Sequence, residues 1–162
     1  MILVTVGTEK FPFNRLMQWT EALINCGFLN LEQDEVVVQF GACTILPNGT
    51  KTYKVLIESQ FQSLIQQARV VISHCGEGTM NLLESCSQPY ILVPRSRQFG
   101  EHVDDHQVEM AIALAAMGAV VAWSPADLVR FLADPYRVKM SHPESSVLPF
   151  CQTLEDRFCK NT

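Results

Sequence analysis

Residues 71–79 read VISHCGEGT: an apolar run, then a turn of His74, Cys75, Gly76, Glu77, Gly78 and Thr79, with the helix-like MNLLESC following at once. Gly76 and Gly78 let the backbone turn tightly and leave N–H groups exposed beside a helix N-terminus, where an anionic diphosphate is best held. Ser73 closes the run before the turn, and Thr79 can donate its hydroxyl beside the N–H groups of Gly78 and Met80. The same turn also serves α/β proteins as a plain connection, with Thr79 as an ordinary N-cap and His74 as a satisfied structural histidine. Gly7 and Thr8 follow the opening apolar run and either face the same anion or form a routine tight turn. Arg95 and Arg97 lie just past another apolar run, where each could offset phosphate charge or be a solvated loop charge; Arg95 is the better placed.

These residues sit at the ends of short β-branched runs: ILVTV (2–6), VVVQF (36–40), YKVLI (53–57), RVVIS (69–73), YILVP (90–94) and AVVAW (119–123). Continuous apolar strands separated by helical patterns indicate a parallel sheet covered on both faces. Helical spacing is followed by Phe13, Leu16, Met17, Thr20, Leu23 and Ile24, by Phe61, Leu64, Ile65 and Ala68, and by Met110, Leu114 and Met117. Ser124-Pro125 starts a further helix through ADLVRFLA, a cap followed by proline at the first helical position. The expected fold class is α/β, a single Rossmann-like domain over residues 1–134 with helices on both faces. Residues 135–162 lose periodicity and read as a tail that packs on the domain or on a partner. In an open parallel sheet ligands bind beyond the carboxyl ends of the strands, and Gly7 and Thr8, residues 39–41, residues 73–79 and residues 94–107 collect on that rim.

The chain has 162 residues, one domain by length, with 48% hydrophobic residues for a real core. A net charge of −5 and a pI near 5.3 argue against a nucleic-acid surface, which needs clustered Lys and Arg. The six cysteines form no CxxC pair, so reduced thiols and a cytoplasmic setting are expected, with Cys75 as a small packing residue. Met1 leads straight into the first strand with no signal-peptide pattern, and the longest uncharged apolar run, residues 110–123, is too short to span a bilayer. Metal chemistry is poorly supported, because Asp104 and Asp105 are adjacent rather than a spaced Asp-x-Asp and no His/Cys set has ligand spacing. GxxxxGK[ST] is absent, and the first turn, GTEKFPF, is not GxGxxG.

The segment VISHCGEGTMNLLESCSQPYILVPR, the opening ILVTVGTEKFPFNRLM and FGEHVDDHQVEMA at 99–111 occur in an order that resembles the C-terminal domain of glycosyltransferase family 28, the donor-binding half of GT-B glycosyltransferases. The resemblance covers roughly residues 1–123. The wording GTEKFPFNRL with GEHVDDHQ is most similar to PssE-type exopolysaccharide glycosyltransferase subunits, and the segment as a whole is similar to the catalytic subunit of the dolichol-pathway N-acetylglucosaminyltransferase. The resemblance implies that Gly7, Thr8, Ser73, His74, Gly76, Glu77, Gly78, Thr79 and Arg95 meet the diphosphate of a UDP-sugar. It implies that Asp105, His106 and Gln107 hold the donor sugar, where a helix start also supplies the rigid donors and acceptors that hydroxyls need. Asp104 or Asp105 could equally cap that helix. The family's acidic ribose ligand falls on Leu82 here, leaving Asn81 and Glu84 as alternatives.

The activity implied is an inverting, metal-independent transfer from a UDP-sugar, a substrate rather than a cofactor, to a lipid-linked saccharide. The partner implied is a membrane-anchored acceptor-binding subunit that recruits the chain to the cytoplasmic face of the membrane and carries the general base. Glucuronic acid, N-acetylglucosamine and glucose all fit as the sugar. The rival readings are a nucleotide-sugar-binding regulatory module without transfer activity, and a hydrolase or epimerase, which in this fold needs both domains in one chain.

Overall fold

The computed structural model describes residues 1–136. Five strands, β1 (Ile2–Thr5), β2 (Val36–Gln39), β3 (Lys51–Tyr53), β4 (Val70–His74) and β5 (Tyr90–Val93), form one parallel sheet in the order β3-β2-β1-β4-β5. Five helices connect and cover them: α1 (Asn14–Asn25), α2 (Glu58–Gln67), α3 (Glu77–Ser85), α4 (His106–Ala116) and α5 (Pro125–Ala133). A 3₁₀ turn at Arg97–Phe99 lies between β5 and α4. Of the expected tail, all but Pro135 and Tyr136 lies outside the described residues.

Period-2 alternation divides the strand residues between two cores. Ile2, Val4, Val36, Val38, Val70, Ile72, Ile91 and Val93 face one side, where Leu16, Met17 and Leu23 of α1 and Leu128, Phe131 and Leu132 of α5 cover them. Leu3, Val37, Val71 and Leu92 face the other, against Ile65 of α2, Met80 and Leu83 of α3 and Ala111 of α4. Both faces are apolar, so the strands read as unbroken hydrophobic runs.

Two expected strands differ. The run at 53–57 pairs only through Tyr53, after which Val55 and Ile57 stand 59% and 64% exposed and Ile57 becomes the N-cap of α2. Among the described residues β3 pairs with β2 alone, and Gly41, at φ +54°, takes the β2 chain away just after its N–H meets the Lys54 carbonyl. Beyond that point no described residue pairs with the apolar run. The run at 119–123 makes a single parallel bridge, Leu92 to Val121. It is pulled off the sheet by the start of α5, where Asp127 Oδ2 accepts the N–H groups of Trp123 and Ser124, both at 3.0 Å, and Ser124 completes a capping box.

The chain order matters for the site. β1 leads to β2 on one side, whereas β4 lies on its other side, so the connections diverge between β1 and β4 and leave a crevice at the carboxyl ends of those two strands.

Candidate functional site

At that crevice lies a cavity of about 500 Å³. Its floor is Thr5, Gly7, Thr8 and Glu9 from the end of β1 together with Gln39 of β2 and His74 of β4. One wall is the first turn of α3, Gly76 to Thr79, with Leu82 behind it; the other is Leu56, Glu58 and Phe61 around the start of α2, and Gln107 of α4 also reaches the lining.

His74 is 5% exposed, and its ring is packed between two glycine backbones. A Cβ on Gly7 would lie 2.5 Å from Cε1 and Nε2 of the imidazole, and one on Gly76 would come closer still to Nε2. Gly7 also has φ +74°, a conformation costly for any residue with a Cβ. These two glycines therefore do more than turn the chain: they admit a histidine into the floor. Burial, reinforced by the positive Arg95, drives the His74 pKa down to about 3, so the imidazole is neutral near pH 7. Its Nδ1 is buried without a hydrogen-bond partner among the described residues.

The α3 helix begins at Glu77, three residues before the apolar MNLLESC stretch, with Gly76 at the N-cap and no side chain capping it. Thr79 is thus the third residue of the helix rather than its cap. The first intrahelical bond runs from the Met80 N–H to the Gly76 carbonyl, which leaves the N–H groups of Glu77, Gly78 and Thr79 outside the helix's own ladder. Uncapped N–H groups at the positive end of a helix and lining a cavity can accept an anion.

The loops around the cavity are held by two polar clamps. Gln39, 4% exposed, donates from Nε2 to the carbonyls of Gly7 and Lys54 and accepts at Oε1 from the Thr5 hydroxyl and the Gly7 N–H, using its whole amide at distances of 2.7–3.0 Å. Arg95 is fully buried and donates to the carbonyls of Val6 (2.7 Å), Phe11 (2.7 Å) and Glu101 (3.0 Å), with its guanidinium 4.9 Å from the Phe13 ring centroid. Glu101, 2% exposed, receives a bidentate pair from Arg15 at 2.9 and 2.8 Å and the Ser96 N–H at 3.0 Å. The β1–α1 loop and the β5–α4 loop are tied together in this way. Gln107, 5% exposed, accepts the Arg95 N–H at Oε1 (3.2 Å), while no described residue takes its amide NH2, which is left for the cavity side.

Of the residues singled out from sequence, Gly7, Thr8, His74, Gly76, Glu77, Gly78, Thr79 and Gln107 line this one cavity. Arg95 needs correction as a diphosphate contact, because it is fully buried and off the lining, with three of its N–H groups on the carbonyls of the loops it joins and its Nε buried without a partner among the described residues. Ser73 is also off the cavity, fully buried, with its hydroxyl donating to the His74 carbonyl. Asp105 sits at the N-cap of α4, but its carboxylate accepts the Ser96 hydroxyl (3.0 Å) and the Arg97 N–H (2.9 Å) and so holds the preceding loop. Asp104 instead takes the His106 N–H at 3.1 Å. His106 stands at the mouth rather than in the lining, its Nε2 3.6 Å from Glu77 Oε1, which brings the starts of α3 and α4 together. Asn81 and Glu84 are likewise off the lining; Leu82, onto which the acidic ribose ligand implied by the resemblance falls, is on the wall.

Sequence reasoning missed the α2 wall of Leu56, Glu58 and Phe61, and the clamping role of Gln39. The apolar run 55–57 gave no usable signal, since only Leu56 of it lines the cavity while Val55 and Ile57 stand exposed. Among the described residues no group of three or more His, Cys, Asp or Glu side chains is arranged to hold a metal ion.

Known proteins resemble this chain in sequence and in fold. In Synechococcus sp. (strain RCC307) the UDP-N-acetylglucosamine--N-acetylmuramyl-(pentapeptide) pyrophosphoryl-undecaprenol N-acetylglucosamine transferase is 40% identical over 62 residues, 38% of this chain and 16% of that protein. Its counterpart in Synechococcus sp. (strain CC9605) is 30% identical over 109 residues, 62% of this chain and 29% of that protein. The chain therefore spans less than a third of the length of these relatives. Among solved structures, the glycosyltransferase SnogD from Streptomyces nogalater superposes with a TM-score of 0.52 at 18% identity, over 82% of this chain and 34% of that one. The glycotransferase of kitacinnamycin gives 0.54 at 15% identity, over 97% and 39%. These two share the fold, that of GT-B glycosyltransferases. The model of the glycosyltransferase family 28 C-terminal domain matches residues 1–145, and the chain belongs to that family.

Proposed function

We propose that this domain is the donor-binding part of an inverting glycosyltransferase that takes a UDP-sugar and transfers the sugar to a lipid-linked saccharide in bacterial polysaccharide synthesis. The observation that carries the reading is the uncapped start of α3, facing a cavity at the β1/β4 divergence in a family 28 domain. The diphosphate lies against the N–H groups of residues 77–79, the sugar reaches the amide of Gln107, and the uridine occupies the wall built from Leu56, Phe61 and Leu82. The leaving UDP is stabilised by those N–H groups and the helix dipole, without a metal. Relatives that act on pyrophosphoryl-undecaprenol substrates support a lipid-linked acceptor.

In this reading the acceptor site and the general base lie on a second, membrane-anchored subunit, as the resemblance to PssE-type proteins implies. No helix among the described residues is long and apolar enough to cross a membrane. In this reading the partner supplies the attachment to the cytoplasmic face.

Thermal shifts with millimolar UDP, ADP and GDP test the donor assignment, since a ligand that binds only the folded state raises its stability. UDP is expected to stabilise most; equal shifts for all three reduce the site to a general anion cradle. Turnover is expected only with the acceptor-binding subunit and should survive EDTA. Turnover by the chain alone refutes the two-subunit reading, and loss in EDTA restored by Mg²⁺ refutes the metal-free one. A pair that binds UDP-sugar but never transfers it would make the chain a regulatory module.

A further inference from the structure

Gln39 lines the cavity but has no hydrogen-bonding capacity left to offer a ligand. Its Oε1 accepts the Thr5 hydroxyl and the Gly7 N–H, and its Nε2 donates to the carbonyls of Gly7 and Lys54, which is the full capacity of a carboxamide. A buried, saturated amide of this kind acts through the backbone it holds. Gln39 is the last residue of β2, the strand between β1 and β3, and alternation puts it on the Val37 face, which α2 and α3 cover. From that position one side chain reaches past both neighbouring strand ends, to Gly7 after β1 and to Lys54 after β3.

The two held segments lead to different parts of the cavity. Lys54 comes two residues before Leu56, which with Phe61 forms the wall on the α2 side, and its carbonyl also accepts the Gly41 N–H at 3.1 Å. Gly7 leads the other way. Its backbone packs against the His74 imidazole, which in turn meets Gly76, the N-cap of α3. A Cβ on Gly41 would lie 2.6 Å from the Gly7 carbonyl oxygen, so the chain leaving β2 also closes on the peptide that Gln39 holds. Lys54, Gln39, Gly7, His74 and Gly76 thus form one contiguous series between the α2 wall and the start of α3.

We propose that Gln39 is a positioning residue that fixes the spacing between the nucleoside wall and the diphosphate cradle, so that both halves of one nucleoside diphosphate are engaged at once. This rests on the UDP-sugar reading above. Joined ligand parts outbind the separate parts only when their two subsites stand at the span of the linkage. Releasing Gln39 leaves each subsite present but out of register with the other. The loss therefore falls on UDP and spares uridine and pyrophosphate taken singly, whereas a residue that only supported the fold would weaken all three together.

The test is NMR titration of the full chain with UDP, uridine and inorganic pyrophosphate, for the wild type and for Gln39→Met, which keeps the length of the side chain and loses all four hydrogen bonds. The wild type is expected to bind UDP tighter than either fragment. Gln39→Met is expected to weaken UDP about 10-fold or more, the scale of a misplaced binding group, and to leave both fragments at their wild-type affinities, which also reports an intact fold. If Gln39→Met does not fold, Gln39→Glu, which keeps the acceptor bonds and loses the donor ones, is read in the same way. An unchanged UDP affinity in the folded variant overturns the proposal, and so do parallel losses for UDP and both fragments. Wild-type UDP binding no tighter than that of a fragment overturns it as well, since no spacing is then in use. These results leave the nucleotide site standing, whereas failure of the wild type to bind UDP at all overturns the UDP-sugar reading itself.

Discussion

Replacing Gly76 by alanine tests whether His74 is what demands a glycine there. The Gly76 backbone, at φ −94° and ψ 134°, suits any residue, so the conformation itself carries no penalty. The added Cβ, however, meets the buried imidazole at well below contact distance, and the ring has little room to retreat, because it is 5% exposed and lies so close to the Gly7 backbone that a Cβ there would also clash with it. Overpacking of this kind costs about 1–3 kcal/mol. Gly7→Ala meets the same ring and also puts a Cβ at φ +74°, which adds about 1–2 kcal/mol, for a total of about 2–5 kcal/mol. Urea denaturation in wild-type and His74→Ala backgrounds separates the two causes, since neighbours that share one clash are non-additive. With the ring removed, the Gly76→Ala penalty should fall to near zero, while Gly7→Ala should keep its backbone share of about 1–2 kcal/mol. A Gly76→Ala penalty as large without the imidazole as with it would refute the packing argument and return Gly76 to a purely conformational role.

Gln107→Ala should leave UDP affinity nearly intact and weaken binding of the correct UDP-sugar by about 1–3 kcal/mol, with parallel losses for both ligands indicating collapse of the rim instead. Arg95→Met leaves three carbonyls without their donor and should cost about 3 kcal/mol or more by denaturant titration; a small cost accompanied by a large loss of UDP affinity would make Arg95 a ligand contact after all. His74 titrates at about 3 when folded and near 6.5 when unfolded, so below about pH 6.5 the unfolded chain binds a proton that the native chain excludes. Stability should therefore be unaffected by this group above that pH and fall by about 1.4 kcal/mol per pH unit from there toward pH 3, a slope that His74→Gln should flatten by the same amount.

The sequence alone determined the alternation of strands and helices, the burial of both sheet faces and the rim on which the glycine turn lies. Those features are local: period-2 and period-3.6 patterns, Ser124-Pro125 at a helix start, and glycines where an apolar run stops. It also determined that residues 73–79 and 94–107 share one edge, because every strand in a parallel sheet ends at the same side. Which polar groups face the ligand was decided by tertiary structure. A guanidinium just past a strand has the same local sequence whether it meets phosphate or carbonyls, and only the meeting of the β1 and β5 loops turned Arg95 inward. Asp105 was diverted in the same way by the 3₁₀ turn at Arg97–Phe99. The α2 wall was invisible because Leu56, Glu58 and Phe61 come from the far side of the sheet order and reach the cavity only when β3 ends early. The pairing of His74 with Gly7 and Gly76 joins segments almost seventy residues apart, and it depends on β1 and β4 lying side by side, a neighbour relation that no local pattern encodes.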